Sequence, residues 1–298
     1  MNTKKAQYFY IKSILYIVVI ILVIYILYVN LDKINTHKKQ ALRDEVFDNI
    51  TLDAKSVYVF DSKENKVLFE RNSRIPLPLA SITKVASVGC SLDKLDIASD
   101  VIVTDSVYSY NDNATSTGKT EVWSVEDLAV YTLITSSNTG ATLLSKYTGG
   151  EDGVVSCMND YAQVHNLFET TYANVTGLDI DESTPGSIGS AENVVTMFRS
   201  VFAKYPDILE KTSYTVFNIY SKNGIIHKAI NTNLAADKIT GFMGSKTGLT
   251  DLAGGNLVFV MNVGLDHRIY VAILGSTEEG RFSDALKLSG AVLKTLSN

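Results

Sequence analysis

An almost unbroken apolar run from Phe9 to Val29, interrupted only by Lys12 and Ser13, constrains this chain more than any other feature. Roughly 20 such residues in a helix cross the hydrocarbon core of a bilayer, where a helix satisfies all of its own backbone polar groups. Residues 9–29 are therefore expected to form one transmembrane helix. Tyr8 and Tyr10 flank one end and Tyr25 and Tyr28 the other, at the depth that suits an amphipathic ring. A cleaved signal peptide has a shorter apolar segment ending in a small-x-small site. Asn30 to Lys33 offers no such site, so an uncleaved anchor is the expectation. Lys4, Lys5 and Lys12 before the helix are matched by Lys33, Lys38, Lys39 and Arg43 after it, so charge bias leaves the orientation open.

Beyond the helix the chain changes character. Residues 30–50 are polar and charged and read as a juxtamembrane stalk, and a folded unit is expected over residues 51–298. At 298 residues, with 46% hydrophobic and 20% charged ones, the chain can bury one large core or two small ones. A net charge of -5 with a pI near 5.4 leaves no broad basic face, which argues against a nucleic-acid partner. Cys90 and Cys157 are the only two cysteines; two buried thiols are the expectation, since sequence does not give their separation.

Ser56 to Phe60 and Lys66 to Phe69 are β-rich runs around Asp61-Ser62-Lys63-Glu64-Asn65, a hairpin signal. Pro76 and Pro78 precede a helix predicted from Ser81 to about Leu92. Ser124-Val125-Glu126-Asp127 fits a capping box, with Leu128, Tyr131 and Leu133 or Ile134 facing inward. Another helix is predicted from Glu192 to Lys204, where Val194, Val195, Phe198, Val201 and Phe202 share a face. Asn256 to Val263 and Arg268 to Leu274 read as strands, and Phe282 to Leu296 as a helix. The order implies an α+β fold: one antiparallel sheet built from both chain ends, helices on its faces, and a helical lobe from the middle.

Ser81-Ile82-Thr83-Lys84 puts a hydroxyl and an amine three positions apart at a helix start, on neighbouring points of one face. A serine needs a base to become a nucleophile, and a desolvated lysine beside other cations can supply one. The helix start favours negative charge forming on an attacked carbonyl. Ser136-Ser137-Asn138 interrupts a helical run with polar groups; Ser136 can relay a proton and Asn138 can hold an amide. Lys246-Thr247-Gly248 is expected on a pocket-facing strand, with Lys246 and Thr247 suited to a carboxylate and Gly248 letting a ligand backbone approach. Each motif alone is weak, and an ordinary helix start, helix break or strand is the plainer reading of each. Their order and spacing, about 55 and then about 110 positions, are those of penicillin-binding proteins and serine β-lactamases.

From about Ser56 onward the chain resembles the low-molecular-weight D-alanyl-D-alanine carboxypeptidases. Leu79-Ala80-Ser81-Ile82-Thr83-Lys84 is similar to that family's nucleophile segment. Ala173-Asn174-Val175-Thr176-Gly177-Leu178-Asp179 resembles its Asn-Pro-x-Gly-Leu turn, with Val175 where proline is usual. Gly244 to Thr250, Ala253 to Val258 and Arg281-Phe282 also agree with it. The resemblance implies a β-lactamase/transpeptidase-like fold and a penicillin-sensitive serine carboxypeptidase that takes the terminal D-alanine from peptidoglycan pentapeptides, with β-lactams as covalent inhibitors. Ser81 would attack, Lys84 would act as base, and Ser136, Asn138 and Lys246 would complete the proton network and hold the peptide. Thr247, Gly248 and Arg281 would serve the substrate's terminal carboxylate side, and the backbone N–H groups of Ser81 and Leu249 would form the oxyanion hole. No cofactor or metal is implied.

Ser137 and Thr139-Gly140 depart from the more usual Ala and Asp-Ala around the second motif. The chain is also expected to do without the β-rich C-terminal domain and amphipathic tail of many relatives, its N-terminal helix serving as anchor. Residues 1–8 would then be cytoplasmic and residues 51–298 a catalytic domain on the outer side of the cytoplasmic membrane. A class A β-lactamase shares the three motifs but needs a glutamate for deacylation; Glu169 lies in the right interval and is read as a surface residue. A membrane-tethered sensor of β-lactam or wall peptide, without turnover, is the alternative of another class. Thr117-Gly118-Lys119-Thr120 imitates a phosphate loop, but Asn113 stands where its first glycine belongs. His37, His165, His227 and His267 show no ligand spacing, and no Gly-x-Ser-x-Gly elbow occurs.

Overall fold

The computed structural model describes residues 3–103 and 120–296. Its first element is a 46-residue helix, α1 (Thr3–Asp48). The stretch Tyr8–Leu31 of α1 is long and apolar enough to cross a membrane. The polar residues after it continue the same helix, since Lys, Gln, Ala, Leu, Arg and Glu are all good helix formers.

A separate compact unit covers residues 50–293. It opens with the hairpin β1 (Ser56–Asp61) and β2 (Lys66–Arg71). The Asp61 carboxylate holds the turn by accepting from the N–H groups of Lys63 and Glu64, both at 3.0 Å. After the short β3 (Leu77–Pro78) and a 3-10 turn at Ala80–Ile82 comes α2 (Thr83–Leu92). The paired strands β4 (Asp100–Val103) and β5 (Glu121–Ser124) follow, then α3 (Val125–Thr135), α4 (Asn138–Tyr147) and α5 (Glu151–Val164). Next come β6 (Thr171–Tyr172), β7 (Ser187–Gly189), α6 (Ala191–Lys204), α7 (Pro206–Glu210) and the hairpin β8 (Val216–Tyr220) with β9 (Ile226–Ile230). The chain closes with β10 (Phe242–Thr250), β11 (Gly254–Asn262), β12 (Arg268–Ser276) and α8 (Gly280–Leu296).

The principal sheet has five antiparallel strands in the order β10-β11-β12-β1-β2, so the first hairpin is completed by the last three strands. Leu257 to Met261 and Ile269 to Leu274 are buried without alternation, the pattern of strands covered on both faces. One cover is α6, whose Phe198 and Phe202 rings meet Tyr270 of β12 edge-on at 6.4 and 6.3 Å. The expected capping residue is in place: Ser124 accepts from the Asp127 N–H, and its own hydroxyl donates back to the Asp127 carboxylate at 2.6 Å.

All ten residues of α2 are buried, because α3, α4, α5 and α6 surround it. Two expectations change here. Cys90 of α2 and Cys157 of α5 form a disulfide instead of two buried thiols, because these packed helices bring their Cα atoms to 6.1 Å. Ser81 also lies before α2, in the 3-10 turn, since Ala80 is left-handed with φ 50° and delays the helix to Thr83.

Candidate active site

Side-chain amides and backbone contacts from distant segments hold the nucleophile strip in place. Asn256 of β11, fully buried, donates to the carbonyls of Pro78 and Leu79 at 2.9 and 3.1 Å, while its own oxygen accepts from Gly275 N–H at 2.7 Å. The Leu79 N–H donates to Ser187 O at 3.1 Å, and the Thr83 hydroxyl donates to Ala80 O at 2.7 Å. These bonds support the left-handed Ala80, a conformation that costs a non-glycine residue about 1 kcal/mol or more. Ser81 is thereby presented at the head of α2, half-buried.

Lys84 has no exposed surface, and its ammonium nitrogen lies 2.7 Å from Ser81 Oγ and 2.8 Å from Thr176 O. The second acceptor belongs to the turn that follows β6. Asn174 Oδ1 accepts from the N–H groups of Thr176 and Gly177 at 3.2 and 2.7 Å, and Asn174 Nδ2 donates to Leu178 O at 2.9 Å. Gly177 has φ +78°, and a Cβ there would stand 1.9 Å from Ala80 O, so no other residue lets the turn close on the nucleophile strip.

Ser136 ends α3 in a left-handed conformation, φ 62°, and Ser137 caps α4 by accepting from Gly140 N–H at 2.9 Å. The second motif is thus a junction between two helices, with Asn138 half-buried at the start of α4. Gly140 has a packing reason, since a Cβ there would meet Thr132 Oγ1 at 2.0 Å.

The opposite wall is β10. Lys246, 1% exposed, donates to Ser136 Oγ and to Thr247 O, both at 2.8 Å. Burial first, then the nearby charges of Lys84 and Arg281, hold the Lys246 ammonium well below the ordinary lysine range. The Thr247 hydroxyl meets the Thr232 hydroxyl at 2.6 Å. Arg281 of α8, 6% exposed, donates to Gly248 O at 2.7 Å, and burial lowers its own pKa. Leu249 follows on β10 opposite Gly255, with its side chain exposed. At Gly248 a Cβ would lie 2.7 Å from Leu79 O and 3.2 Å from Ala80 Cβ, so its hydrogen side chain lets the nucleophile strip pack directly against β10.

The cleft therefore gathers two lysine–serine pairs, Ser81 with Lys84 and Ser136 with Lys246, with Thr247 and Arg281 along the β10 side. Three residues outside the expected set serve it: Asn256, which heads an expected strand, Thr176, which lies in a turn noted for resemblance, and Thr232, which no sequence signal marks. Glu169 is half-buried and accepts from Asn193 Nδ2 at 2.7 Å, so it is not a surface residue. His227 pairs with Glu121 at 2.7 Å and His267 with Asp61 at 2.8 Å; among the described residues no cluster of three or more potential metal ligands occurs. Residues 117–119 of the phosphate-loop imitation lie outside the described residues.

The sequence pattern of the D-alanyl-D-alanine carboxypeptidases matches residues 39–277. The D-alanyl-D-alanine carboxypeptidase DacC of Escherichia coli is 29% identical over 254 residues, which cover 80% of this chain and 60% of DacC. DacB2 of Mycobacterium tuberculosis is 28% identical over 231 residues, covering 76% of this chain and 77% of that protein. The chain thus spans about three-fifths of the length of DacC and of similar curated relatives. Among solved structures, a D-alanyl-D-alanine carboxypeptidase from M. tuberculosis superimposes with a TM-score of 0.72 at 25% identity, over 82% of this chain and 93% of that one. Penicillin-binding protein D2 from Listeria monocytogenes, in its ampicillin-bound form, gives 0.71 at 26% identity, over 82% and 98%. The fold is the transpeptidase-like α+β fold that the motifs implied.

Proposed function

This chain belongs to the D-alanyl-D-alanine carboxypeptidase family, and from that premise we propose that it removes the terminal D-alanine from peptidoglycan stem peptides through an acyl-enzyme on Ser81. The observation that carries the reading is the 2.7 Å contact between Lys84 Nζ and Ser81 Oγ, in a cleft whose other wall carries Lys246. Neutral Lys84 takes the hydroxyl proton as Ser81 Oγ bonds to the carbonyl carbon of the penultimate D-alanine. The N–H groups of Ser81 and Leu249 receive the oxyanion. The C–N bond then breaks, and the departing amine of D-alanine takes the proton held on Lys84, relayed through Ser136 and Lys246, which leaves Lys84 neutral again. Water, deprotonated by the same base, releases the shortened peptide.

Thr247 and Arg281 serve the substrate's terminal carboxylate, and Asn138 its amide. Arg281 acts from behind the strand, since its guanidinium donates to the Gly248 carbonyl. A strained β-lactam carbonyl enters by the same attack, so β-lactams are covalent inhibitors. The β-lactamase reading would need Glu169, which accepts from Asn193 on α6, to activate the deacylating water, and the turnover test below decides it. A sensor acylated without turnover would need the same Ser81–Lys84 pair, and release of free D-alanine from a pentapeptide tells the two apart.

The Tyr8–Leu31 helix anchors the protein in the cytoplasmic membrane, with residues 51–298 on the outer side. Two observations support that orientation: the substrate class lies outside, and the Cys90–Cys157 disulfide suits an oxidising compartment. In the test, penicillin is expected to add its mass to the wild-type chain and not to Ser81→Ala, and a pentapeptide is expected to yield free D-alanine and tetrapeptide. Rapid penicillin turnover without peptide cleavage overturns the carboxypeptidase reading in favour of the lactamase.

A further inference from the structure

The Cys90–Cys157 disulfide lies in the wall of a solvent-open cavity of about 270 Å³ lined by α2, α5 and α6. Ala86, Gly89, Met158, Met197 and Val201 supply its apolar lining. Cys157 is half-buried, whereas Cys90 is only 6% exposed, so of the two cysteines Cys157 is the more exposed. The polar lining includes His165, Ser200 and the Lys204–Asp93 ion pair at the end of α2.

This cavity is on the far side of α2 from Ser81, but the two share one rigid element. Cys90 follows Lys84 by six residues, about 9 Å along the helix axis. The end of α2 is latched to α5 by the disulfide and to α6 by Asp93, which receives both Lys204 and the Tyr205 hydroxyl. Its start is latched by the Thr83 hydroxyl and by the two acceptors of Lys84. A helix buried at every residue, and held at both ends, transmits a change in one latch to the other as displacement.

We propose that the Cys90–Cys157 disulfide is an exchange site for small thiols entering this cavity, and that opening it loosens the helix that holds Lys84 against Ser81. A thiolate attacks the Cys157 sulfur; the new S–S bond forms as the old one breaks, and the electron pair leaves on Cys90, which takes a proton. A second thiol attacks the mixed disulfide, frees Cys157 as a thiol and departs as the oxidised dimer. Two thiols are oxidised and one protein disulfide is reduced. The consequence for catalysis rests on the acyl-transfer reading above; the exchange itself does not.

The test uses the full chain in detergent, treated with free cysteine and then followed by intact mass, peptide mapping and the rate of acylation by a fluorescent penicillin. The native protein is expected to gain a cysteinyl adduct on Cys157 at a rate proportional to thiol concentration. Opening the disulfide is expected to slow acylation about tenfold or more, as misplacing a catalytic group does, and reoxidation to restore it. Ser200→Trp, which fills the cavity, is expected to slow exchange while leaving acylation of the oxidised protein unchanged. Adduct formation only at the rate of global unfolding, or equal acylation of the oxidised and reduced forms, overturns the proposal. If the oxidised protein fails to acylate at all, the acyl-transfer reading falls, and the adduct on Cys157 alone decides whether the exchange site stands.

Discussion

The two walls of the cleft each hold a buried lysine against a serine hydroxyl, but they are assembled in opposite ways. On the helix wall, Lys84 and Ser81 are three residues apart, and a single turn of chain brings them to 2.7 Å. On the strand wall, Lys246 reaches across 110 residues of sequence to Ser136 at 2.8 Å. Lys84 has its second acceptor in a turn locked by Asn174 and Gly177, whereas Lys246 bonds to the carbonyl of its own neighbour, Thr247. The contrast suggests a division of labour. Burial, with the nearby charges of Lys84 and Arg281, depresses the Lys246 ammonium, so this region disfavours holding all three cations at once. In the mechanism proposed above, the helix wall abstracts the proton and the strand wall binds and relays.

The largest expected effect breaks the comparison if it fails. Lys84→Ala removes the local base and is expected to slow penicillin acylation by about 10²- to 10⁴-fold, the usual worth of general-base catalysis. Stopped-flow acylation at fixed pH measures it. Lys246→Ala should weaken pentapeptide binding more than it slows the bond-forming step with a small β-lactam. Equal losses in both variants would erase the distinction between the walls.

That distinction also explains what could be read before the structure. The Ser81–Lys84 pair, the Ser124 cap and the β1–β2 hairpin are set by neighbours within a few residues, so their spacing alone carries them. The pairing of Lys246 with Ser136 depends on how distant segments pack, and it was legible only because three weak motifs recur together in one family, whereas the joining of β1 to β12 followed coarsely from the order of strands and helices. The Cys90–Cys157 bond spans 67 residues and follows from the angle at which α5 lies on α2, which no local pattern records. Gly248 was visible as a glycine, but its neighbour was not, because the backbone of Leu79 reaches it from a remote strip. Residues 30–48 were read by polarity alone as a stalk, yet their helix-forming composition carries α1 on to Asp48.

A subtler effect sharpens the electrostatic half of the comparison. Because burial and neighbouring charge depress the pKa of Lys246, the folded protein binds fewer protons at this site than the unfolded chain does. Its contribution to stability therefore rises with pH between the depressed folded value and the ordinary 10.5, and is lost as pH falls through that interval. Lys246→Met removes the titrating group. The difference in unfolding free energy between wild type and variant is expected to change with a slope of up to about 1.4 kcal/mol per pH unit over this range, wild type gaining as pH rises. Urea titrations at several alkaline pH values measure it. Parallel curves for the two proteins would mean that Lys246 titrates as an ordinary lysine.

The smallest expected effect concerns how the strand wall aims its hydroxyl. Thr232 sits on a loop pinned by Asn231, which donates to Thr212 O and Tyr214 O at 2.7 and 2.9 Å, and by Asn233, which donates to Ser245 Oγ at 3.0 Å. Its hydroxyl can act as donor or acceptor to Thr247 across 2.6 Å. When Thr232 donates, the Thr247 hydrogen is left to point at a substrate carboxylate; when Thr232 is removed, Thr247 can rotate away. The loss is one neutral hydrogen bond acting through another residue, worth about 0.5–1.5 kcal/mol. Thr232→Val, which keeps the shape, is therefore expected to raise KM for a pentapeptide about two- to tenfold with little change in kcat. Thr232→Ser should restore it. A fall in kcat at unchanged KM would place Thr232 with the proton-transfer groups of the helix wall.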